Sequence, residues 1–140
     1  MISYDHRVKV YYKDVDKMGI VYYSRYFEYF EASRTELLAS IGLGVTEVEE
    51  KGITLPVISS HCNYSSGAKF EQEITIRASI SSIPRSKLHI EYSVFLVDDR
   101  NTLANGYTKH AFVNDKGVAV RVPRMILDCL HQEGLEPVGK

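Results

Sequence analysis

Two periods of hydrophobic and polar residues divide the chain. Over residues 7–13, Val8, Val10 and Tyr12 alternate with Arg7, Lys9, Tyr11 and Lys13, the period of a strand with one face buried. The stretch Asp14-Val15-Asp16-Lys17-Met18-Gly19 breaks that alternation and predicts a turn, with Gly19 supplying backbone freedom. From Ser24 the spacing becomes helical: Tyr26, Phe27, Phe30, Leu37, Leu38 and Ile41 form one broad apolar stripe. Ser24 stands where an N-cap belongs, and Gly42 where the glycine after a helix belongs. The helix predicted over residues 24–41 is the one long helix of the chain.

Most of the remainder alternates with a period of two. Residues 45–52 are polar and acidic and predict a short helical turn or a loop. Residues 53–64 read as a strand whose Pro56 places it at a sheet edge or on a bulge. The clearest strands carry Ile74, Ile76, Ala78 and Ile80, then Leu88, Ile90, Tyr92, Val94 and Leu96, each set alternating with polar neighbours. A turn over 98–101 leads to a strand over 102–114, a hairpin at Asn114-Asp115-Lys116-Gly117 and a strand over 118–122. Pro123 suits the first turn of a short helix over 124–131, and residues 133–140 read as a frayed tail. Strands in direct succession pair antiparallel, so the class is α+β, a sheet of five to six strands with one helix on one face. The other face, with His89, Ser93, Phe95 and Tyr107, is amphipathic and predicts a homo-oligomer.

Composition narrows the function. A chain of 140 residues with 44% hydrophobic and 25% charged residues fits one globular domain, here residues 1–132 before the tail. Seventeen basic against eighteen acidic residues give a charge of −1, which argues against a nucleic-acid partner. No apolar run is long enough for membrane insertion, and the first residues lack the apolar core of a signal peptide. Cys62 and Cys129 match no metal or redox spacing, so two free thiols in the cytoplasm are expected. His6, His61, His89, His110 and His131 are scattered, and no metal or other cofactor is predicted. His61 and Cys62 are neighbours on a strand and are expected to point to opposite faces, which argues against a Cys–His dyad and for a buried structural thiol.

What remains is the junction between the first strand and the helix. Asp14 and Asp16 precede a glycine turn and then a helix start, and six of the ten tyrosines fall between Tyr11 and Tyr29. A helix start offers unpaired N–H groups and a partial positive charge, able to polarise a carbonyl and hold an oxyanion. A nearby carboxylate can then serve as general base or nucleophile on that carbonyl. The same two carboxylates could equally tie down the loop by accepting backbone hydrogen bonds.

The segment resembles the signature of the 4-hydroxybenzoyl-CoA thioesterase family, in particular its Tol–Pal-associated short acyl-CoA thioesterase branch. The residues that carry the resemblance are Tyr12, Asp14, Asp16, Gly19, Val21, Tyr22, Tyr23, Tyr26, Phe30, Glu31 and Arg34 in that order, and it extends through Phe70-Glu71 and Arg85-Ser86-Lys87 to about residue 130. It implies the hotdog fold, an antiparallel sheet wrapped around one long helix. It also implies hydrolysis of an acyl-CoA thioester in a homodimer or a dimer of dimers. Asp16 would be the catalytic carboxylate, and the Tyr23 backbone N–H would bind the thioester oxygen. Gly19, Val21 and Tyr26 would shape the substrate site, and Arg85, Ser86 and Lys87 would meet the CoA phosphates, although a solvated basic turn explains the last three as well. Asp14 would anchor the loop, Glu31 and Arg34 could pair on the helix, and Glu71 could be a second acidic residue across the dimer. The chain departs from many members of the branch in having Tyr23 where they have His, and Val15 where they have Thr. Whether Asp16 acts as base or nucleophile stays open. The alternative is a hotdog module that binds acyl-CoA, or acts as a scaffold, without turnover.

Overall fold

The computed structural model describes residues 1–98 and 101–137. The opening alternation forms β1 (Ile2–Lys9), which starts and ends earlier than the pattern over 7–13 suggests. Its register against the third strand runs out at Lys9↔Glu73. The fully buried Val10 then donates its N–H to the Gln72 carbonyl, and Tyr12–Asp14 close a single 3-10 turn outside the sheet.

The helical stripe forms α1 (Arg25–Ser40), which buries Tyr26, Tyr29, Phe30, Ser33, Leu37 and Leu38. Ser24 is not a side-chain cap. Its backbone is already helical, at φ −70 and ψ −18, and its hydroxyl holds no first-turn amide. Instead the Arg25 and Tyr26 N–H groups bond the carbonyls of Tyr22 and Tyr23, so a tight turn leads into the helix. At the other end Gly42 takes φ +83 and the Leu43 N–H returns to the Leu38 carbonyl at 2.8 Å, a glycine-terminated helix as the sequence predicts.

The acidic segment forms α2 (Val45–Glu50), followed by β2 (Val57–Tyr64), β3 (Glu73–Ile80), β4 (Lys87–Leu96), β5 (Thr102–Val113), β6 (Ala119–Val120) and α3 (Arg124–Gln132). The six strands make one antiparallel sheet in the order β1-β3-β4-β5-β2, with β6 on β5. The strand read over 53–64 is shorter because Pro56 cannot donate to a ladder: Thr54 bridges Val113, and the register slips between Val57 and Ser59. Residues 99 and 100 of the expected turn lie outside the described residues. Pro123 is the N-cap of α3 rather than its first residue, its carbonyl accepting from Ile126 and Leu127.

The sheet curls around α1. Ile74, Ile76, Ala78 and Ile80 of β3 and Leu88, Ile90, Tyr92 and Val94 of β4 turn inward and are almost wholly buried. Each of the Ile, Leu and Val side chains among them contributes about 1.5–3 kcal/mol by leaving water. Phe30 stacks on Tyr92 with centroids 4.2 Å apart and planes 5° apart. Gly106 on β5 leaves room for that ring: a Cβ there would collide with the His61 carbonyl and sit 3.0 Å from Phe30. The α+β class and the hotdog arrangement expected from the sequence are those observed. The tail is not frayed as far as Pro137, because Leu135 is buried, the Ile83 N–H bonds the Glu136 carbonyl, and Ile83 bridges Pro137.

Candidate active site

Asp14 closes the turn after β1 from inside. Its side chain is buried, Oδ2 accepts the Tyr11 N–H at 3.0 Å, and Oδ1 lies 3.2 Å from Lys13 Nζ and 3.8 Å from Arg25 Nε. Burial alone would raise its carboxyl, but the Tyr11 N–H, Lys13 and Arg25 outweigh burial and hold it below its ordinary value. The Asp14 carbonyl also accepts the Tyr22 N–H, which draws the helix start against this turn. Asp14 is the loop anchor that the resemblance implies.

Asp16 sits in a tight excursion between Val15 and Val21, which bridge each other in antiparallel fashion. Its N–H donates to the Ile20 carbonyl, and Gly19, at φ +81, returns its N–H to the Asp16 carbonyl. The side chain is half-buried. Oδ1 accepts the Met18 N–H at 2.8 Å and the Ile20 N–H at 3.4 Å, while Oδ2 has no hydrogen-bond partner among the described residues. One oxygen fixes the carboxylate and the other is left for chemistry. Seven residues after Asp16, the Tyr23 N–H, like that of Ser24, has no acceptor among the described residues, as at any uncapped helix start.

These elements border one hollow of about 320 Å³, lined by Asp16, Ile20, Val21, Tyr23, Tyr26 and the segment from Tyr64 to Gly67. Tyr26 forms its buried floor, edge-on to Tyr64 with centroids 5.2 Å apart. The Tyr64 hydroxyl donates to the Tyr23 carbonyl at 3.0 Å. Gly67 is required where it stands, because a Cβ would lie 2.8 Å from Ile20. Residues 64–67 were not among the sequence candidates. The Ser65-Ser66-Gly67 run signals only a turn, and nothing local shows that β2 ends beside the helix start. Cys62 faces away from His61 as expected, and burial pushes its thiol up, away from nucleophilic chemistry.

The other candidates lie elsewhere. Arg85, Ser86 and Lys87 are exposed on the β3–β4 turn, where Ile2 pairs Ile80, whereas Asp16 follows the end where Lys9 pairs Glu73. The length of β3, about 26 Å, separates the two ends. Glu71, at φ +74, belongs with Arg7, Glu73 and Asp98 to a separate surface hollow. Glu31 and Arg34 do not form the ion pair expected of their spacing: the Arg34 guanidinium turns inward, with Nη1 3.5 Å from the Tyr92 hydroxyl.

Similarity to known proteins follows the same geometry. The chain is 31% identical over 97 residues to an acyl-CoA thioesterase YbgC of Haemophilus influenzae, covering 69% of this chain and 68% of that protein. A hypothetical protein, TT1821, of Thermus thermophilus superposes with a TM-score of 0.84 at 29% identity, over 93% of this chain and 96% of that one. A 4-hydroxybenzoyl-CoA thioesterase bound to 4-hydroxybenzoyl-CoA shares the fold, with a TM-score of 0.83 at 21% identity over 92% and 99% of the two chains. The profile of the thioesterase-like superfamily spans residues 10–130, from the turn that sets Asp14 through the hollow to α3, and the chain belongs to that superfamily.

Proposed function

We propose that the chain hydrolyses an acyl-CoA thioester, with Asp16 as the reacting carboxylate and the Tyr23 N–H as the oxyanion donor. The observation that carries this is the pairing of an unbonded Asp16 Oδ2 with an unbonded Tyr23 amide on one hollow. With the thioester carbonyl over the helix start, Oδ2 removes a proton from water, and the hydroxide adds to the carbonyl carbon. The oxyanion accepts from Tyr23, and on collapse the CoA thiolate leaves with a proton while the acid is released. In the nucleophilic variant Oδ2 itself adds, the C–S bond breaks as the CoA thiolate leaves and takes up a proton, and water cleaves the resulting mixed anhydride to release the acid. Both return the free carboxylate. The similarity to YbgC supports acyl-CoA as the substrate class, and the Tol–Pal-associated branch rests on the signature residues from Tyr12 to Arg34 alone.

The reading includes a homodimer. β1 ends the sheet on one side with the charged Asp5, Arg7 and Lys9, whereas β2 ends it with exposed Val57 and Ile58 and an open row of backbone groups. Antiparallel pairing of two β2 edges sets the Tyr64 end of one chain beside the Val57 end of its partner. There Val57 and Leu88 both pair His110, next to Lys87. The basic turn of one chain thus serves the Asp16 hollow of the other, and a dimer of dimers is compatible with it.

Asp16→Asn tests the mechanism, because Asn keeps the acceptor for Met18 and Ile20 but loses charge and basicity. Measured as thiol release from a panel of acyl-CoAs, kcat falls by about 10²–10⁴ while KM and Tm barely move. Near-native turnover in the variant would overturn the assignment, and a parent protein that turns over no thioester would favour the binding module.

A further inference from the structure

Among the described residues, the hydroxyl of Tyr29 is buried without a hydrogen-bond partner. Buried hydroxyls normally find one, because an unmade bond leaves the loss of hydration uncompensated. Tyr29 lies in α1, edge-on to Tyr26 with centroids 5.9 Å apart, and 9% of its surface is exposed. The mechanism above leaves this hydroxyl unused.

Its nearest charged group is set by the helix. Tyr29 follows Arg25 by one turn on the same face, and Arg25 Nε is 3.8 Å from Asp14 Oδ1. Burial pushes the Tyr29 phenol up, and the Asp14 charge pushes it further, so the group stays a donor at neutral pH. It faces a carboxylate with which it makes no hydrogen bond. Asp14 Oδ2 accepts the Tyr11 N–H alone among the described residues, and a carboxylate oxygen can take two such bonds.

The backbone joins Asp14 to the oxyanion donor. The Asp14 carbonyl accepts the Tyr22 N–H at 2.8 Å, and the Tyr22 carbonyl accepts the Arg25 N–H at 2.9 Å. The peptide that carries the Tyr23 N–H is therefore tied on one side to α1 and on the other to the Asp14 turn. A pull on that N–H reaches Asp14 through a single residue.

We propose that Tyr29 is a positioning residue of the thioesterase site: when a thioester carbonyl takes the Tyr23 N–H, the Asp14 turn settles on α1 and the Tyr29 hydroxyl donates to Asp14 Oδ2. This rests on the reading of the Asp16 hollow given above. The empty protein carries the unmade bond and the loaded protein makes it, so the difference favours bound substrate. Stability of the empty protein is lowered in exchange, the usual opposition between a working site and a stable one.

Tyr29→Phe keeps the ring and removes the hydroxyl. Tm of the free protein rises by about 3 °C. KM for the best acyl-CoA rises about fivefold with little change in kcat, because the bond is made in ground and transition state alike. In Asp14→Asn, whose side chain has lost its charge, the same substitution moves KM less than about twofold. A 2-oxopentyl-CoA thioether keeps the carbonyl but has no thioester to break, and in calorimetry it binds the parent about fivefold more tightly than Tyr29→Phe. An unmoved KM, a lowered Tm, or the same KM change with and without the Asp14 charge would each overturn the role of Tyr29. A parent that releases thiol from no acyl-CoA overturns the thioesterase reading instead; the ketone then decides on Tyr29 by itself, and equal affinity for parent and variant overturns its role.

Discussion

The hydroxyl of Tyr64, at the end of β2, donates to the backbone carbonyl of Tyr23 across 3.0 Å. One strand end is thereby tied to the residue whose N–H is proposed to receive the thioester oxygen. Burial beside Cys62 and Tyr26 raises the Tyr64 phenol, so it stays a donor throughout the working pH range. The ring packs edge-on to Tyr26 and to Tyr23, which fixes the direction from which the hydroxyl arrives.

Tyr64→Phe keeps that packing and removes only the hydroxyl. The Tyr23 peptide then loses one of its restraints, and an oxyanion donor works through its orientation. We expect kcat on the best acyl-CoA to fall about 3- to 10-fold, with stability reduced by roughly 0.5–1.5 kcal/mol in urea unfolding. Unchanged kcat would show that Tyr23 is held well enough by the Tyr26 N–H alone.

Asp14→Asn separates anchor from reactant. The carboxylate gathers the Tyr11 N–H, Lys13 and Arg25, and the amide would present N–H donors to the two cations. The expected cost is roughly 1–3 kcal/mol at neutral pH. Because the folded carboxyl titrates below its unfolded value of about 3.9, its contribution is full above that pH and is lost as pH falls through the folded value. The difference in unfolding free energy between parent and variant should therefore shrink only in strong acid. A difference that is flat between pH 7 and 2 would remove Asp14 from this role.

His110 gives the opposite group the same kind of test. Burial lowers its affinity for a proton, and the Arg34 charge lowers it further, against a pull upward from the Leu55 carbonyl. An unfolded histidine titrates near about 6.5. Between that value and the lower folded one the unfolded chain binds the extra proton, so stability is full above pH ~6.5 and declines as pH falls. Thermal melts from pH 8 to 5 should show Tm falling less steeply in His110→Gln than in the parent. Parallel profiles would mean that the hydrogen-bonded chain from Tyr92 through Thr108 and His110 to the Leu55 carbonyl contributes nothing to the acid response.

Much of this was legible in one dimension. The period of two over Ile74–Ile80 and the helical stripe from Tyr26 to Leu38 identify their elements because each buries one face only, and burial selects the period. Asp14, Asp16 and Gly19 share one short loop, so their association is local. β1 was misplaced because Tyr12 continues the alternation beyond the point where β3 has a residue to pair with it, and pairing is a property of the partner strand. The same limit hid Tyr64 and Gly67, which reach the helix start only through β2, and hid the inward turn of Arg34, which the Tyr92 hydroxyl decides. The split of Arg85 and Lys87 from Asp16 is likewise a matter of which end of β3 each lies on.

That split makes the sharpest prediction. If the basic turn meets CoA phosphates in its own chain, the sheet must be bridged lengthwise; if it serves the partner, the two defects can be sorted between chains. A dimer of one Asp16→Asn chain and one Arg85→Ala/Lys87→Ala chain would contain one site with both defects and one with neither. Random pairing of the two variants gives intact sites as about a quarter of the total. Co-expressed with different tags and assayed well below KM, the mixed dimers should therefore recover kcat/KM to about half of the parent dimer's value, above either variant alone. The Arg85→Ala/Lys87→Ala homodimer should show a raised KM with kcat nearly unchanged, because a phosphate contact holds ground and transition state alike. Mixed dimers no better than the mean of the two homodimers would put Arg85 and Lys87 outside the partner's site. A single species of monomer mass in light scattering would dismiss the shared site altogether.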